Sequence, residues 1–318
     1  MRASDVMNLA APQVNRADAV RIGALREKPP EAILALARSV AVEAAVEAGR
    51  AIRAGLAGSL TVRVKDAAGD LVTDLDVRAE HLIVGHIRRA FPDHRILAEE
   101  SGLDGVDDAW CWVVDPLDGT NNIAIGLPVC TVGIALCHNG IPVLGVIHEP
   151  VSDRTWSAVR GGGAIGPGGP IRRPPHRSSA SAPTLAWLQG YPVGRTDAAA
   201  RALRLSLESG SRRLIQLWSP LLCWVMLARG DIDGFVGYRA GFVDLPAGTL
   251  LARESGLHLT DFDGAPLDDR LDLPIGEVSF IAASGEMLPE LTLLVKSAAD
   301  VIVTGLPGRG EVRLSGHE

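Results

Sequence analysis

Two carboxylates three positions apart stand at the end of an apolar run. Trp110-Cys111-Trp112-Val113-Val114 reads as a buried strand, and Asp115-Pro116 is expected to stop it where the charge begins. Asp118-Gly119-Thr120-Asn121-Asn122 follows. Acidic side chains at a strand mouth, backed by Gly-Thr, suit hard divalent cations and the phosphate oxygens that such cations bind.

Three further acidic clusters fall at element ends. Asp70-Leu71-Val72-Thr73-Asp74-Leu75-Asp76 leads into a helix, and Glu99-Glu100-Ser101-Gly102 closes a short strand. Asp244 stands in Gly241-Phe242-Val243-Asp244-Leu245-Pro246-Ala247-Gly248 at another helix start. An acid at a helix N-terminus also serves as a cap or complements the dipole. Each cluster alone therefore has a structural explanation, while the four together point to one shared site. The histidines form no HxxxH or HExxH pattern that would hold zinc. No Ser or Cys stands in a nucleophile elbow.

The elements that must carry these acids can be read from periodicity. Apolar residues Ile33, Leu36, Ala37, Val40, Ala44, Ala48 and Ile52 predict a helix over 31–56. Val77, Leu82, Ile83 and Ile87 predict a second over 76–90, with the alternating strand 60–65 between them. Extended runs at 95–98, 110–114, 131–136, 143–149 and 155–159, separated by turns such as His138-Asn139-Gly140, predict an antiparallel meander. Gly161 to Pro183 is a Gly-, Pro- and Arg-rich connection. Beyond it, helices near 198–209, 220–229 and after Asp244 alternate with strands. The expected organisation is an extension over 1–30, loosely ordered, and an N-terminal α+β half over 31–183. A C-terminal α/β half over 184–300 and a tail over 301–318 complete it. Layered α+β architecture follows.

The 318 residues suffice for a large core, and 47% of them are hydrophobic. A net charge of −7 argues against nucleic acid as the main partner. It is compatible with a phosphorylated small molecule, because bound cations reverse the sign locally. Cys111, Cys130, Cys137 and Cys223 form no CxxC and read as buried free thiols. No apolar stretch reaches the roughly 18–20 residues of a membrane span, and residues 1–30 lack a signal-peptide pattern. A cytoplasmic protein with no membrane partner is expected.

Taken together, these motifs resemble the inositol monophosphatase branch of the lithium-sensitive, magnesium-dependent phosphatase superfamily, whose relatives include fructose-1,6-bisphosphatase. Asp115-Pro116-Leu117-Asp118-Gly119-Thr120-Asn121-Asn122 matches the family signature. Glu99-Glu100-Ser101-Gly102 after Phe91-Pro92 matches its Glu-Glu motif, and Asp70-Leu71-Val72-Thr73 with Asp76 its upstream motif. Asp244 with Ala247-Gly248 and Glu254-Ser255-Gly256 matches its C-terminal motif. The intervening hairpin is matched by Gly145-Val146-Ile147-His148-Glu149-Pro150 and Gly161-Gly162-Gly163-Ala164. The likeness covers roughly residues 31 to 300, in the family's order.

The resemblance implies a layered α-β-α-β-α sandwich, a homodimer, and two to three Mg²⁺ ions. Glu99, Asp115 and the Leu117 carbonyl would hold the first ion. Asp115, Asp118 and Asp244 would hold the second, with a weaker third near Glu99. Thr120 and Asp76, assisted by Glu99, would orient and deprotonate the attacking water, and the Gly119 and Thr120 amides would hold phosphate oxygens. On this reading Gly119 is glycine because a side chain would crowd the phosphate. Lys65 matches a family lysine near the metal loop; a solvated strand-end lysine is the alternative.

Departures bear on substrate. Ile123 and Val243 stand where the family usually has Phe and Trp, and Cys223 where a helix commonly carries Asp. Gly237 replaces a sugar-contacting Glu, with Arg239 close by, and Arg172, Arg173, His176 and Arg177 form a basic loop. Arg239 is read either as a surface residue or as a contact for a second phosphate or carboxylate. The expectation is a Mg²⁺-dependent phosphomonoesterase for a small polyol or sugar-like phosphate. Histidinol-phosphate, fructose-1,6-bisphosphate and 3′-phosphoadenosine phosphates are alternatives, and so is a catalytically silent ligand-binding or regulatory relative.

Overall fold

The computed structural model describes residues 29–58, 60–65, 71–172, 182–268, 270–271 and 277–304, with backbone alone for 299–304. Residues 1–28, Asp70, Arg173, His176, Arg177 and the tail beyond 304 lie outside the described residues.

Helix α1 (Glu31–Gly55) leads through a two-stranded ribbon, β1 (Val62–Val64) with β2 (Leu71–Thr73), into α2 (Asp74–Ala90). A sheet of eight strands follows. It comprises β3 (Arg95–Ala98), β4 (Gly102–Asp104), β5 (Trp110–Asp118), β6 (Thr131–His138), β7 (Ile141–Glu149), β8 (Arg154–Val159), β9 (Gly163–Gly166) and β10 (Gly169–Pro170). Its order is β10-β9-β8-β7-β6-β5-β3-β4. From β5 onward consecutive strands are antiparallel neighbours, as the turns predict, while β3 runs parallel to β5.

Helix α3 (Thr120–Ala124) opens directly after β5. A second sheet is built from β11 (Thr184–Gln189), β12 (Arg213–Ile215), β13 (Gly234–Ala240), β14 (His258–Thr260) and β15 (Val278–Ala283), in the order β12-β11-β13-β15-β14. Its helices are α4 (Ala198–Ser209), α5 (Pro220–Arg229), α6 (Pro246–Glu254) and α7 (Leu288–Thr304).

Side-chain alternation in β5 shows how the layers stack. Trp112 and Val114 point into a core shared with α1 and α2, and Cys111 and Val113 into a core shared with α5, α6 and Phe235 and Phe280 of the second sheet. Both faces are covered, which is why the run is apolar throughout rather than alternating. On the second sheet Val236 and Ile281 point the other way, into a third core against α4 and α7. Three cores between five layers give an α-β-α-β-α sandwich. Gly145 of β7 faces Ala247 of α6 so closely that a Cβ would lie 2.9 Å from its carbonyl oxygen. That close approach seats α6, and Asp244 before it, against the sheet.

Three local expectations are corrected. The strand does not stop at Asp115: β5 continues to Asp118 through an irregularity in its pairing with β6 between Asp115 and Asp118. Such a bulge accommodates Pro116 and re-aims the flanking side chains. In α2, Val77 faces outward at 56% exposure, and the buried stripe is Leu75, Asp76, Ala79, Glu80, Ile83 and Ile87. Two acids occupy inward positions there, so hydropathy alone rotates the predicted face. In α1, Leu36 is exposed and Leu34 takes the inner place. No helix among the described residues is long and apolar enough to cross a membrane.

Candidate active site

Asp115, Asp118 and Asp244 meet. One carboxylate oxygen from each lies within 4.8 Å of the other two. The β5 bulge presents the first pair, and the turn before α6 presents Asp244 from the second sheet. Asp115 and Asp118 are almost wholly buried and Asp244 half-buried.

Local contacts orient each of them. The Leu117 N–H donates to Asp115 Oδ1 at 3.1 Å. Asp118 Oδ2 accepts three hydrogen bonds of 2.8 Å, from Thr131 Oγ1, Ser219 Oγ and the Leu221 N–H. With Oδ2 saturated, Oδ1 is the oxygen left for a ligand. Burial, then the neighbouring Glu99, Asp118 and Asp244, push the Asp115 carboxyl well above the usual range, and burial raises Asp118 to about 7 despite its hydrogen bonds. Anionic oxygens packed this tightly suit a hard cation, and carboxylates with a carbonyl suit Mg²⁺. The residues present fit the ions that the sequence leads one to expect.

Thr120 opens α3. Its Oγ1 lies 2.6 Å from Asp76 Oδ1 and 3.0 Å from the Leu117 carbonyl oxygen. The hydroxyl has one proton, and the charged carboxylate is the stronger acceptor. The other Asp76 oxygen accepts from the Thr73 N–H at 2.8 Å and from the Thr73 hydroxyl. Asp76 thus caps α2 and holds Thr120 at once.

Gly119 has a nearer reason to be glycine than the phosphate. Its φ is 106°, and a Cβ there would lie 2.7 Å from the Val129 carbonyl oxygen. Glu99, just after β3, reaches Asp115 through a hydrogen bond and lines the same cavity. Lys65 stands beside it, its Nζ 3.0 Å from Glu99 Oε1 and 2.7 Å from Glu100 Oε1. Of the two readings of Lys65, the structure therefore has the residue at the site's edge, not solvated alone. These carboxylates raise its pKa against the opposing effect of burial.

The cavity beside the acids measures about 660 Å³. Arg239 lines it with φ 51° and pairs with Glu277. Gly237 does not open it: a Cβ there would lie 2.2 Å from Phe280 Cε1. Ile123 is buried in the core under α1 and α2, and Val243 packs against the core between the sheets. His148 is buried, with Nδ1 2.9 Å from Thr155 Oγ1.

Several cavity residues escaped sequence reasoning: Tyr191, Trp218, and Arg195, Arg201 and Arg204 on and before α4. Spacing of Arg201 and Arg204 places them on one helix face, which was the available signal. Thr131 and Ser219 were also missed, since lone hydroxyls carry no motif.

Comparisons with known proteins place the chain in a family. The profile of the Inositol monophosphatase family matches residues 34–299. Inositol monophosphatase 1 of Solanum lycopersicum is 33% identical over 245 residues, covering 72% of this chain and 85% of its own. A Thermotoga maritima protein named fructose-1,6-bisphosphatase/inositol-1-monophosphatase is 34% identical over 203 residues, 64% of this chain and 76% of its own. Among solved structures, the extragenic suppressor protein suhB of Bartonella henselae superposes with a TM-score of 0.74 at 28% identity, covering 82% of this chain and 98% of that one. The chain belongs to the inositol monophosphatase family and is a phosphoric monoester hydrolase.

Proposed function

We propose that the chain hydrolyses the phosphate monoester of a small polyol or sugar-like metabolite, using two to three Mg²⁺ ions and a water nucleophile. The observation that carries this reading is the convergence of Asp115, Asp118 and Asp244 beside the Thr120–Asp76 pair in one cavity. Bound Mg²⁺ would supply the positive charge that lowers the pKa of a water and neutralises phosphoryl and leaving oxygens. Glu99, Asp115 and the Leu117 carbonyl would hold one ion, and Asp115, Asp118 and Asp244 another. The Thr120 hydroxyl, already donating to Asp76, is placed to accept a water's proton as it passes its own to the carboxylate. The Gly119 and Thr120 amides at the start of α3 would receive phosphate oxygens. The halves 31–183 and 184–300 would then each contribute acids to one active site.

A second reading, a bisphosphate substrate, is favoured by one observation. Arg195, Arg201 and Arg204 line the cavity and have no ion-pair partner among the described residues. A second phosphate would find planar donors there.

Phosphate release from inositol 1-phosphate, histidinol phosphate, fructose 1,6-bisphosphate and 3′-phosphoadenosine 5′-phosphate tests both readings. Activity should vanish in EDTA, return with Mg²⁺, and fall at least about a hundredfold in Asp118→Asn, which removes a ligand oxygen. Turnover near wild type in that variant sinks the metal scheme.

A further inference from the structure

Trp218 is placed in a way that its own fold does not require. Its φ of 51° is left-handed, a region that a bulky side chain rarely adopts. Asn139 and Asp153, which share it, are turn residues that tolerate it; Trp218 and Arg239 both line the cavity. Contacts on either side pin the strained residue. The Leu217 carbonyl accepts from Asn122 Nδ2 at 2.6 Å, and the Ser219 hydroxyl donates to Asp118 Oδ2 at 2.8 Å. The turn is thus fixed to the metal-binding strand, and the indole with it. A glycine would fit this backbone without strain. Instead the chain carries its largest side chain there, 51% exposed, with no hydrogen bond or ring contact among the described residues. Backbone strain held at a site by its surroundings points to a role in binding.

The rest of that wall indicates what the indole faces. Tyr191 is 55% exposed and its hydroxyl accepts from Asn121 Nδ2 at 2.7 Å; Leu188 and Val193 add apolar surface. Beyond the acid cluster the one carboxylate in the lining is Glu277, and Arg239 occupies it. Away from the acid cluster the lining offers few side-chain acceptors, and the amides of Gln189 and Gln216 suit the one or two polar atoms of a ring better than the many hydroxyls of a polyol.

We infer that Trp218 is a specificity-determining residue, and that the alcohol half of the substrate carries a planar heteroaromatic ring that stacks on its indole. This rests on the hydrolase reading above and narrows its substrate.

The test compares kcat/KM for two ring-bearing monoesters, adenosine 2′-monophosphate and histidinol phosphate, with glycerol 2-phosphate. Wild type should prefer at least one ring-bearing compound. Trp218→Gly, which relieves the strained φ and should keep its Tm, should cut that preference roughly ten- to hundredfold, chiefly through KM. Trp218→Phe should keep most of it. An unchanged preference in a folded Trp218→Gly overturns the inference, as does a wild type that hydrolyses glycerol 2-phosphate without preferring either ring compound. Both results leave the hydrolase reading standing. No phosphate from any of the three, with release from inositol 1-phosphate, overturns this inference alone; no phosphate from any compound of either set overturns the hydrolase reading as well.

Discussion

Thr120 Oγ1 and Asp76 Oδ1 sit 2.6 Å apart, although 44 positions separate them in the chain. The contact joins the first turn of α2 to the first turn of α3, so one carboxylate closes a capping box and orients the hydroxyl two positions after Asp118. Removing the hydroxyl should leave the fold intact, because the Asp76–Thr73 contacts remain. Thr120→Ala should therefore lower kcat about 10²–10⁴-fold at nearly unchanged Tm, and Thr120→Ser should recover to within about tenfold. Equal kcat in Thr120→Ala and wild type would remove the pair from the mechanism.

Ser219 tests whether the saturation of Asp118 Oδ2 matters. Its hydroxyl is one of three donors at 2.8 Å to that oxygen. Without it the carboxylate can rotate and offer either oxygen. Ser219→Ala should weaken Mg²⁺ binding about 10–100-fold, read from the Mg²⁺ dependence of Tm as well as of phosphate release. A variant with wild-type Mg²⁺ dependence in both would assign Ser219 to packing alone.

What the sequence made legible follows from the range of each interaction. Asp115 and Asp118 could be found because a strand and its charges are neighbours in the chain, and the ordered family motifs added Glu99, Asp76 and Asp244. The layered architecture was readable because helical and strand patterns recur along the chain, and the family resemblance supplied its five-layer order. Ser219 was not readable, since its partner Asp118 lies 101 positions away. The buried face of α2 was misread because Asp76 and Glu80 turn inward, Glu80 to accept the Glu100 N–H at 2.8 Å. Trp218 gave no signal, because a φ angle leaves no trace in composition.

The acids predict an unusual pH dependence for the metal-free protein. Asp118 is raised to about 7 in the fold, and burial and its acidic neighbours raise Asp115 as well. Between about pH 4, the unfolded value, and about pH 7, the folded state binds more protons than the unfolded one, so stability falls as pH rises. Mg²⁺ bound at these acids would reverse this by replacing the protons. In EDTA the Tm should drop from pH 5 to pH 8, and the Tm gain on adding Mg²⁺ should be larger at pH 8 than at pH 5. A metal-free Tm that climbs across this range would show that the carboxylates ionise freely without the cation.

Lys65 would compete with an ion at Glu99 for the same oxygens. Its ammonium lies 3.0 Å from Glu99 Oε1 and 2.7 Å from Glu100 Oε1, and this contact also fixes the exposed β1–β2 ribbon against the site. A cation approaching Glu99 meets both the loss of that contact and the repulsion of a like charge. Lys65→Met keeps the aliphatic stem and removes the charge, so Mg²⁺ affinity should rise about three- to tenfold, the scale of one charge contact near a surface. The ribbon should at the same time become more accessible to protease. Added salt should narrow the difference between variant and wild type, because screening weakens the repulsion that only the wild type carries. Weaker Mg²⁺ binding in Lys65→Met would mean that the lysine's main effect is to hold Glu99 in place for the metal.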